Sequence, residues 1–240
     1  LGDVYKRQFE IGSLGSEKYN LRDHCLSMGY NTDDLEALGL ISSKNQMDIY
    51  RSRLIFPIKS ISGRTIGFGA RILDNNKKSA KYINSPDSII YNKSNVLFGL
   101  YNSKNEIVKK DNCFIAEGYT DVMRFHQIGI KNIVSSSGTA LTVSQINLIR
   151  RLTKNVTMLF DSDKAGVNAT ERAVELLLSQ GMNIDICILP DNEDPDSFGR
   201  SKTSEEINNY VEENSVDFIE FKSNMLGSSI KNSPSQKTKI

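Results

Sequence analysis

Three shortages narrow what this 240-residue sequence can be: it has almost no net charge, few cysteines and no long apolar run. A net charge of +1 means that any contact with nucleic acid must come from a local basic patch rather than from the molecule as a whole. The three cysteines, Cys25, Cys113 and Cys187, are odd in number and far apart, which argues against a disulfide framework and a Cys-x-x-Cys zinc site. No apolar run is long enough to span a bilayer and no secretory signal is visible, so we expect a cytoplasmic protein without membrane contact.

Both ends of the sequence suggest a piece of a longer protein. The sequence does not begin with Met, and it ends in a polar stretch, residues 233–240. Residues 1–8 fit poorly with the segment after them, so we assign them no structure. The length suits one large domain or two small ones and is ample for a hydrophobic core.

Residues 51–101 are predicted to contain a basic β-hairpin. Leu54–Ile58 and Thr65–Leu73 are strand-like runs, and Ser60–Gly63 between them has the composition of a turn. A long polar stretch comes after the second strand. Basic residues lie in or beside the hairpin and in the polar stretch: Arg51, Arg53, Lys59, Arg64, Arg71, Lys81 and Lys93.

Residues 111–200 alternate between strand-like and helix-like segments. The predicted strands are 113–116, 132–135, 156–160 and 184–189, and the predicted helices are 120–128, 142–154 and 168–180. Thr142 and Gln145 have the spacing of a capping box, which favours a helix start there. Because strand and helix alternate, this order predicts an α/β fold with a parallel sheet covered by helices.

Carboxylates come directly after three of the four predicted strands. Glu117-Gly118 comes after the first, Asp161-Ser162-Asp163 after the third, and residues 191–196, with Asp194 and Asp196, after the fourth. The carboxyl ends of parallel strands lie at one edge of a sheet, so these acids are predicted to converge there. Gathered carboxylates repel one another unless a cation neutralises them, and Mg²⁺ prefers such oxygen ligands. Gly118 allows a sharp turn and the close approach of a ligand.

A simpler interpretation of the same pattern is left open by the residues alone. Loops are polar, so acids at strand ends are common in proteins that bind no metal. Three acidic clusters at one predicted edge are harder to explain in this way. Both interpretations stand at this point.

Two of the acidic segments resemble the TOPRIM signature, a Glu after one strand and Asp-x-Asp after another, which topoisomerases and primases share. They are Ala116–Val122 and Leu159–Gly166. Further segments resemble the bacterial DnaG-type DNA primase family in order and spacing, and the resemblance covers roughly residues 9–225. These segments are Arg53–Arg71, Lys81–Pro86, Leu97–Tyr101, Ser137–Leu141 and Glu193–Asp196.

The resemblance implies an α/β fold in which a TOPRIM parallel sheet is flanked by helices. A mixed α+β subdomain would occupy residues 1–105, the TOPRIM domain 106–203, and the start of a truncated helical subdomain 204–240. The family's zinc-binding and helicase-binding domains have no counterpart in the sequence. We therefore expect no zinc in this fragment, since Asp23-His24-Cys25 has no partner ligands. The core would be monomeric and would reach the replicative helicase through the missing C-terminal domain.

The implied function is the synthesis of short RNA primers from ribonucleoside triphosphates on a single-stranded DNA template during replication. It implies two-metal nucleotidyl transfer with Mg²⁺, for which Mn²⁺ can substitute. Glu117, Asp161 and Asp163 would be the catalytic residues and principal metal ligands, with Asp194 and Asp196 as additional ligands. Gly118 and Asp121 would support the site without binding the metal themselves. For Asp121, a favourable interaction with the helix dipole is an equally good explanation.

The resemblance also assigns polar and basic residues to the template and nucleotide phosphates, although any one exposed cation can instead be simply solvated. They are Arg71, Lys81, Asn84 and Lys93, with Arg51, Arg53 and Lys164 as weaker candidates. Four other residues are better interpreted as packing residues than as functional ones: Cys113, Cys187, Tyr82 and Phe68. His126 has no Cys or carboxylate pattern near it that would make it a metal ligand.

Rival functions remain within the TOPRIM group. A phage or plasmid primase-helicase core would share all of these elements, and its helicase motif would lie elsewhere. A TOPRIM nuclease would share the metal site without the upstream hairpin. A topoisomerase would need a tyrosine nucleophile in a separate domain, and a TOPRIM domain used only for binding would not need intact acids.

Overall fold

The hairpin predicted between residues 54 and 73 is the centre of a four-stranded antiparallel sheet. β2 (Arg53–Lys59) and β3 (Thr65–Ile72) pair along most of their length. Two three-residue strands, β1 (Gly12–Leu14) and β4 (Tyr82–Asn84), form the edges in the order β1-β2-β3-β4. The predicted hairpin is confirmed, whereas the edge strands escaped prediction because three residues are too few to show an alternating pattern.

The computed structural model describes residues 3–73, 79–160, 164–190 and 193–223, without the side chains of residues 3, 160 and 164–171. In these ranges, three short helices precede the hairpin: α1 (Asp3–Gln8), α2 (Asn20–Ser27) and α3 (Thr32–Ala37). Helix α1 lies in the segment to which no structure was assigned from the sequence, and Phe9 directly after it is buried. No helix within these ranges is both long and apolar enough to cross a membrane.

The alternating segment forms a second sheet, with four parallel strands in the order β6-β5-β7-β8. The strands are β5 (Cys113–Ala116), β6 (Ile133–Ser135), β7 (Asn155–Phe160) and β8 (Asn183–Ile188). The helices around it are α4 (Leu100–Lys110), α5 (Tyr119–Gln127), α6 (Val143–Arg150), α7 (Lys164–Ser179), α8 (Pro195–Phe198) and α9 (Ser204–Asn214). The predicted fold class is therefore confirmed.

Some helix limits differ from those predicted. Helix α6 ends at Arg150 rather than near residue 154, and Thr153 donates its hydroxyl to Asp111 Oδ1 at 2.7 Å. Helix α7 begins at Lys164, four residues earlier than predicted. Helix α4 was not predicted, because its sequence is mostly polar and only one narrow face is buried. That face consists of Leu100, Ser103 and Ile107.

The second sheet includes one more strand, formed by residues after 203. Helix α9 buries Ile207 and Val211, and β9 (Ser215–Asp217) pairs antiparallel with β8. Residues 218–223 are helical again. The sheet thus includes residues that the sequence interpretation places in a helical subdomain, and the division at residues 105 and 203 stays a prediction.

The predicted capping box at the start of α6 is confirmed and has a second role. Gln145 donates its backbone N–H to Thr142 Oγ1, and its side-chain Oε1 accepts the Thr142 N–H. Gln145 is fully buried, and its Nε2 also donates to the carbonyls of Lys93 and Val96 at 3.0 and 2.8 Å. The helix start therefore fixes the backbone of the segment that carries Lys93.

His126 is a buried, neutral residue of the core. Ser103 donates its hydroxyl to the carbonyl of Ile133 at 2.7 Å, so the 3.0 Å contact between Ser103 Oγ and His126 Nε2 must be donated by the imidazole. This leaves Nδ1 unprotonated, and it has no hydrogen-bond partner. Burial, with a smaller contribution from Lys131, lowers the pKa of His126 to about 4.

We predict that His126 makes the fold sensitive to mild acid. The unfolded chain takes up a proton near the ordinary pKa of 6.5, whereas the folded chain resists protonation down to about 4, so stability falls as pH drops through this window. The free energy of unfolding should fall by about 2 kcal/mol between pH 7 and pH 5 from this residue. Urea unfolding at both pH values measures the loss. The loss should shrink in His126→Gln and persist in the control His24→Gln, which changes an exposed histidine. An equal loss in all three proteins contradicts the prediction.

Candidate active site

Tyr119, the first residue of α5, lies where the two sheets meet. Its ring stacks on Phe56 of β2 with centroids 5.0 Å apart and meets Phe98 edge-on at 4.7 Å. Gly69 on β3 leaves room for the ring, because a Cβ at this position would lie 2.3 Å from it. Burial raises the pKa of the Tyr119 hydroxyl, which therefore remains a hydrogen-bond donor. Tyr119 joins the antiparallel sheet to the start of α5.

Asn84 on β4 completes this junction. It accepts the Tyr119 hydroxyl on Oδ1 at 2.7 Å, and its Nδ2 donates to the carbonyl of Ser137 at 3.3 Å. Ser137 lies just after β6 and has a φ of 60°, a left-handed conformation that is uncommon outside glycine. The residue predicted to contact a nucleotide thus also holds the edge of the hairpin sheet against a loop of the parallel sheet.

A cavity of about 360 Å³ opens beside this junction and brings predicted residues from both sheets together. Its wall on the hairpin side is β4. Its wall on the other side is formed by the turn after β5, the loop after β6 and the start of α8. The predicted site residues that line it are Asn84, Glu117, Gly118, Asp121 and Asp194. Tyr82 and Tyr119, which were not predicted as site residues, line it as well.

Glu117 also borders a second, more apolar cavity of about 270 Å³. This cavity lies at the carboxyl ends of β5 and β7 and is lined by apolar residues such as Met158 and Leu159. Glu117 therefore stands between an apolar space inside the sheet edge and a less apolar space that faces the hairpin.

The other two acids of the predicted ligand set, Asp161 and Asp163, lie outside the described residues, as does Asp191. The backbone of β7 is described to Phe160, which pairs with Ile188 beside the end of β5. Within the described ranges, no three His, Cys, Asp or Glu residues form a group that could hold a metal ion. The predicted ligand set therefore remains a prediction.

Asp121 caps the helix that begins after Glu117. Its Oδ2 accepts the backbone N–H of Gly118 at 2.8 Å, and its side chain is largely buried. This is the contact expected of an acid at the third position of a helix, so the helix-start interpretation describes what Asp121 does here. By fixing Gly118, Asp121 also fixes the turn from which the Glu117 side chain extends.

Asp194 and Asp196 have different surroundings although they are two residues apart. Asp194 caps α8, accepting the Ser197 N–H on Oδ1 at 2.6 Å, and it lines the larger cavity. Asp196 is ion-paired to Arg124 at 3.0 Å and to Arg200 at 2.6 Å. Burial raises the pKa of Asp196, but the hydrogen bonds from the two arginines outweigh it and hold the pKa below its ordinary value. A metal at Asp196 would have to compete with two guanidinium groups.

The predicted basic residues divide into buried and exposed groups. Arg53 is only 7% exposed and donates to the carbonyl of Ala80 at 3.0 Å, and burial lowers the pKa of its guanidinium. It thereby holds the backbone before Lys81 against β2, and its predicted contact with phosphates stays a prediction. Arg71 and Lys81 both lie near the ring of Tyr82, at 5.7 and 5.9 Å from its centroid.

The remaining basic candidates are spread around this group. Lys93 is exposed beside a small groove that is also lined by Asn84 and Ser137. Arg51 donates to the carbonyl of Asp48, and the side chain of Lys164 lies outside the described residues. The contacts of Tyr82 with Tyr119 and of Phe68 with Tyr50 agree with the packing role predicted for them.

Two residues of this region were not singled out from the sequence. Tyr119 lies within the TOPRIM-like segment, but nothing local indicates that it packs on a distant hairpin. Arg124 is 72 residues away from Asp196 in the chain, and only the fold brings the two together. A basic residue on the helix after Glu117, opposite a second acidic segment, is the one signal that could have suggested this pairing.

Known protein families match the chain in two segments. Residues 2–104 match the family described as DNA primase catalytic core, N-terminal domain, and residues 114–199 match the Toprim-like family. The chain is 40% identical over 221 residues to the DNA primase of Clostridium acetobutylicum, a match that covers 91% of this chain and 36% of that protein. The chain thus spans little more than a third of the length of that curated relative.

Solved structures show the same similarity in three dimensions. The E. coli primase catalytic core superposes with a TM-score of 0.84 at 33% identity, covering 94% of this chain and 73% of that one. A DnaG primase catalytic domain bound to single-stranded DNA superposes with a TM-score of 0.81 at 33% identity, covering 90% and 71%.

We predict that Gly69→Ala destabilises the junction between the sheets. The added methyl group would lie 2.3 Å from the Tyr119 ring, which is held by Phe56 and Phe98 and cannot move freely. The free energy of unfolding should fall by about 1–3 kcal/mol, as is typical of overpacked cores. Urea unfolding measures the change. Gly12→Ala is the matched control, because a Cβ there meets nothing within 4 Å; equal effects at both positions would show that Tyr119 does not constrain Gly69.

Proposed function

This chain belongs to the family of bacterial DnaG-type DNA primase catalytic cores, and from that premise we propose that it synthesises short RNA primers on single-stranded DNA. The reaction joins ribonucleoside triphosphates by nucleotidyl transfer under the direction of a DNA template. Because the chain spans little more than a third of its curated relative, the rest of the protein would supply further functions. These include contact with the replicative helicase, whereas the core itself would act as a monomer and hold no zinc.

One observation carries the proposal: acidic side chains line a cavity at the junction of the two sheets, and basic side chains lie beside a residue of its opposite wall. Glu117 and Asp194 line the larger cavity from the parallel sheet, and β4 lines it from the hairpin sheet. Arg71 and Lys81 lie 5.7 and 5.9 Å from the ring centroid of Tyr82, which lines that second wall. An acidic wall suits divalent cations and a basic wall suits phosphates, and nucleotidyl transfer requires both at one place.

The residues present fit a magnesium ion by their chemistry. The carboxylates of Glu117 and Asp194 are hard oxygen donors at one cavity, and we propose that Asp161 and Asp163 complete the set, with Asp196 as a further candidate. When bound, Mg²⁺ would supply charge stabilisation for the phosphoryl oxygens and a more acidic attacking hydroxyl, and Mn²⁺ would substitute for it. The contribution of the chain is to hold Glu117 rigidly, through the hydrogen bond from Gly118 to Asp121.

We propose that the template and nucleotide phosphates contact Arg71, Lys81 and Lys93. A related catalytic domain has been solved with single-stranded DNA bound, which supports a nucleic-acid surface in this family. Arg53 and Gln145 act indirectly in this proposal. Arg53 holds the backbone that carries Lys81, and Gln145 holds the backbone that carries Lys93.

We predict that Glu117→Gln abolishes primer synthesis. Glutamine keeps the size of the side chain but removes the charge, and the loss of several kcal/mol of metal-dependent stabilisation corresponds to a rate about 1000-fold lower. Incorporation of labelled ribonucleotides on single-stranded DNA measures it. EDTA should abolish the activity of the unchanged protein, and Mg²⁺ or Mn²⁺ should restore it. Asp185→Asn, which alters an exposed acid on β8, should retain full activity. Intact synthesis by Glu117→Gln would rule out the proposed role.

Lys81→Ala should weaken binding of single-stranded DNA and also its dependence on salt. One lost phosphate contact lowers the slope of log K against log salt concentration by about 0.7–1. Fluorescence anisotropy at several salt concentrations gives the slope. Lys110→Ala, at an exposed position of α4, is the control and should leave the slope unchanged. A Lys81→Ala protein with the slope of the unchanged protein would show that Lys81 contacts no phosphate.

A further inference from the structure

Resting on the proposed function, we propose that Arg124 is a positioning residue for the acidic site. Through its ion pair with Asp196 it fixes helix α8 against α5, and α8 carries Asp194 into the cavity that Glu117 also lines. Arg124 itself does not line that cavity, so its effect would be indirect. The inference narrows the ligand set proposed above, because it assigns Asp196 to holding the helix rather than to binding the metal.

The ion pair between Arg124 and Asp196 is well shielded from solvent. Nε of Arg124 lies 3.0 Å from Oδ1 of Asp196, and the two side chains are only 17% and 15% exposed. The guanidinium is oriented further by Gln127, whose Oε1 accepts from Nη1 at 2.9 Å. Removing Asp196 would leave the largely buried guanidinium of Arg124 without its counter-charge, which costs far more than breaking an exposed pair.

Gly199 provides a second contact at the same place. A Cβ on Gly199 would lie 2.5 Å from Cγ of Arg124, in the stem of the side chain rather than at its flexible end. The backbone φ of Gly199 is −75°, which any residue adopts, so glycine is not required there by conformation. Because Gly199 has no side chain, the space beside it is free for the Arg124 side chain to extend to Asp196.

Helix α8 needs an external anchor because it has only four residues. So short a helix has no stability of its own and takes its orientation from its contacts. Pro195 and Phe198 are buried and supply apolar contacts, and the Arg124 pair adds a directional one. Asp194 is the N-cap of α8, so a rotation of the helix would turn its carboxylate away from Glu117.

The ion pair of Asp196 with Arg200 is the natural comparison. Arg200 lies four residues after Asp196 on the same short segment and its side chain is 64% exposed. This pair is local, so it does not connect α8 to α5. If Asp196 acted only through its charge, the loss of either arginine would change metal binding to a similar extent. If Asp196 positions α8, only the loss of Arg124 should weaken metal binding.

The test is Arg124→Gln in the whole chain, with Mn²⁺ as the probe. Binding of Mn²⁺ followed by electron paramagnetic resonance gives both the affinity and the number of bound ions. We expect the dissociation constant to rise about tenfold, as for other changes that disturb the support of metal ligands, with the number of ions unchanged. The Mg²⁺ concentration for half-maximal primer synthesis should rise in parallel, while the rate at saturating Mg²⁺ stays within about twofold.

Four matched variants separate positioning from other roles. Gly199→Ala displaces Arg124 without changing any charge, and should weaken Mn²⁺ binding in the same way as Arg124→Gln. Arg124→Lys keeps the charge and should recover part of the affinity. Asp196→Asn should resemble Arg124→Gln. Arg200→Gln should bind Mn²⁺ as the unchanged protein does.

Three results would overturn the inference. A lower melting temperature of Arg124→Gln with unchanged Mn²⁺ affinity would show a merely structural role. One bound ion fewer in Asp196→Asn would make Asp196 a ligand, and equal effects of Arg200→Gln and Arg124→Gln would make charge alone responsible. Failure of the proposed function is a separate result, since it would appear as primer synthesis that survives Glu117→Gln, whatever the Arg124 variants do.

Discussion

The packing of Tyr119 between the two sheets is the constraint on which the site depends. Gly118 turns the chain directly after β5, and this turn places Glu117 at the cavity while Tyr119 enters the core. Because the ring is stacked on Phe56 and held at its hydroxyl by Asn84, α5 cannot shift along its axis without breaking both contacts. The position of the Glu117 backbone therefore depends on an aromatic contact with a strand more than 50 residues away.

The same junction shows how the proposed function is compatible with a chain of almost zero net charge. Acidic residues gather where the parallel strands end, and basic residues gather on the hairpin sheet. The Asn84 bonds to Tyr119 and Ser137 hold the hairpin sheet beside the cavity at the ends of the parallel strands. Local regions of opposite charge can therefore lie close together although the net charge of the chain is nearly zero.

The parts of the fold that were predictable are those whose cause is local. The strand–helix alternation, the hairpin and the Thr142–Gln145 capping box were predictable from the sequence because spacing alone determines them. Helix α4 and the edge strands were not, because their formation depends on a partner surface that the chain supplies elsewhere. The same distinction applies to the site. Glu117 and Asp194 line the cavity, as their positions at strand ends suggest. The burial of Arg53, in contrast, depends on a distant segment that folds over it.

Asp194 and Asp196 show most clearly why acids alone do not define such a site. They are separated by a single proline, and nothing in the sequence pattern distinguishes them. Successive positions at the start of a helix point in different directions, so one carboxylate caps α8 beside the cavity and the other meets α5. Arg124, contributed by α5, then distinguishes them, because a carboxylate that is already paired with a shielded guanidinium has little to gain from a metal. The cationic side chains of the protein itself therefore influence which acids can bind a metal ion. One of them, Arg124, lies on α5, the helix that begins with the packed Tyr119.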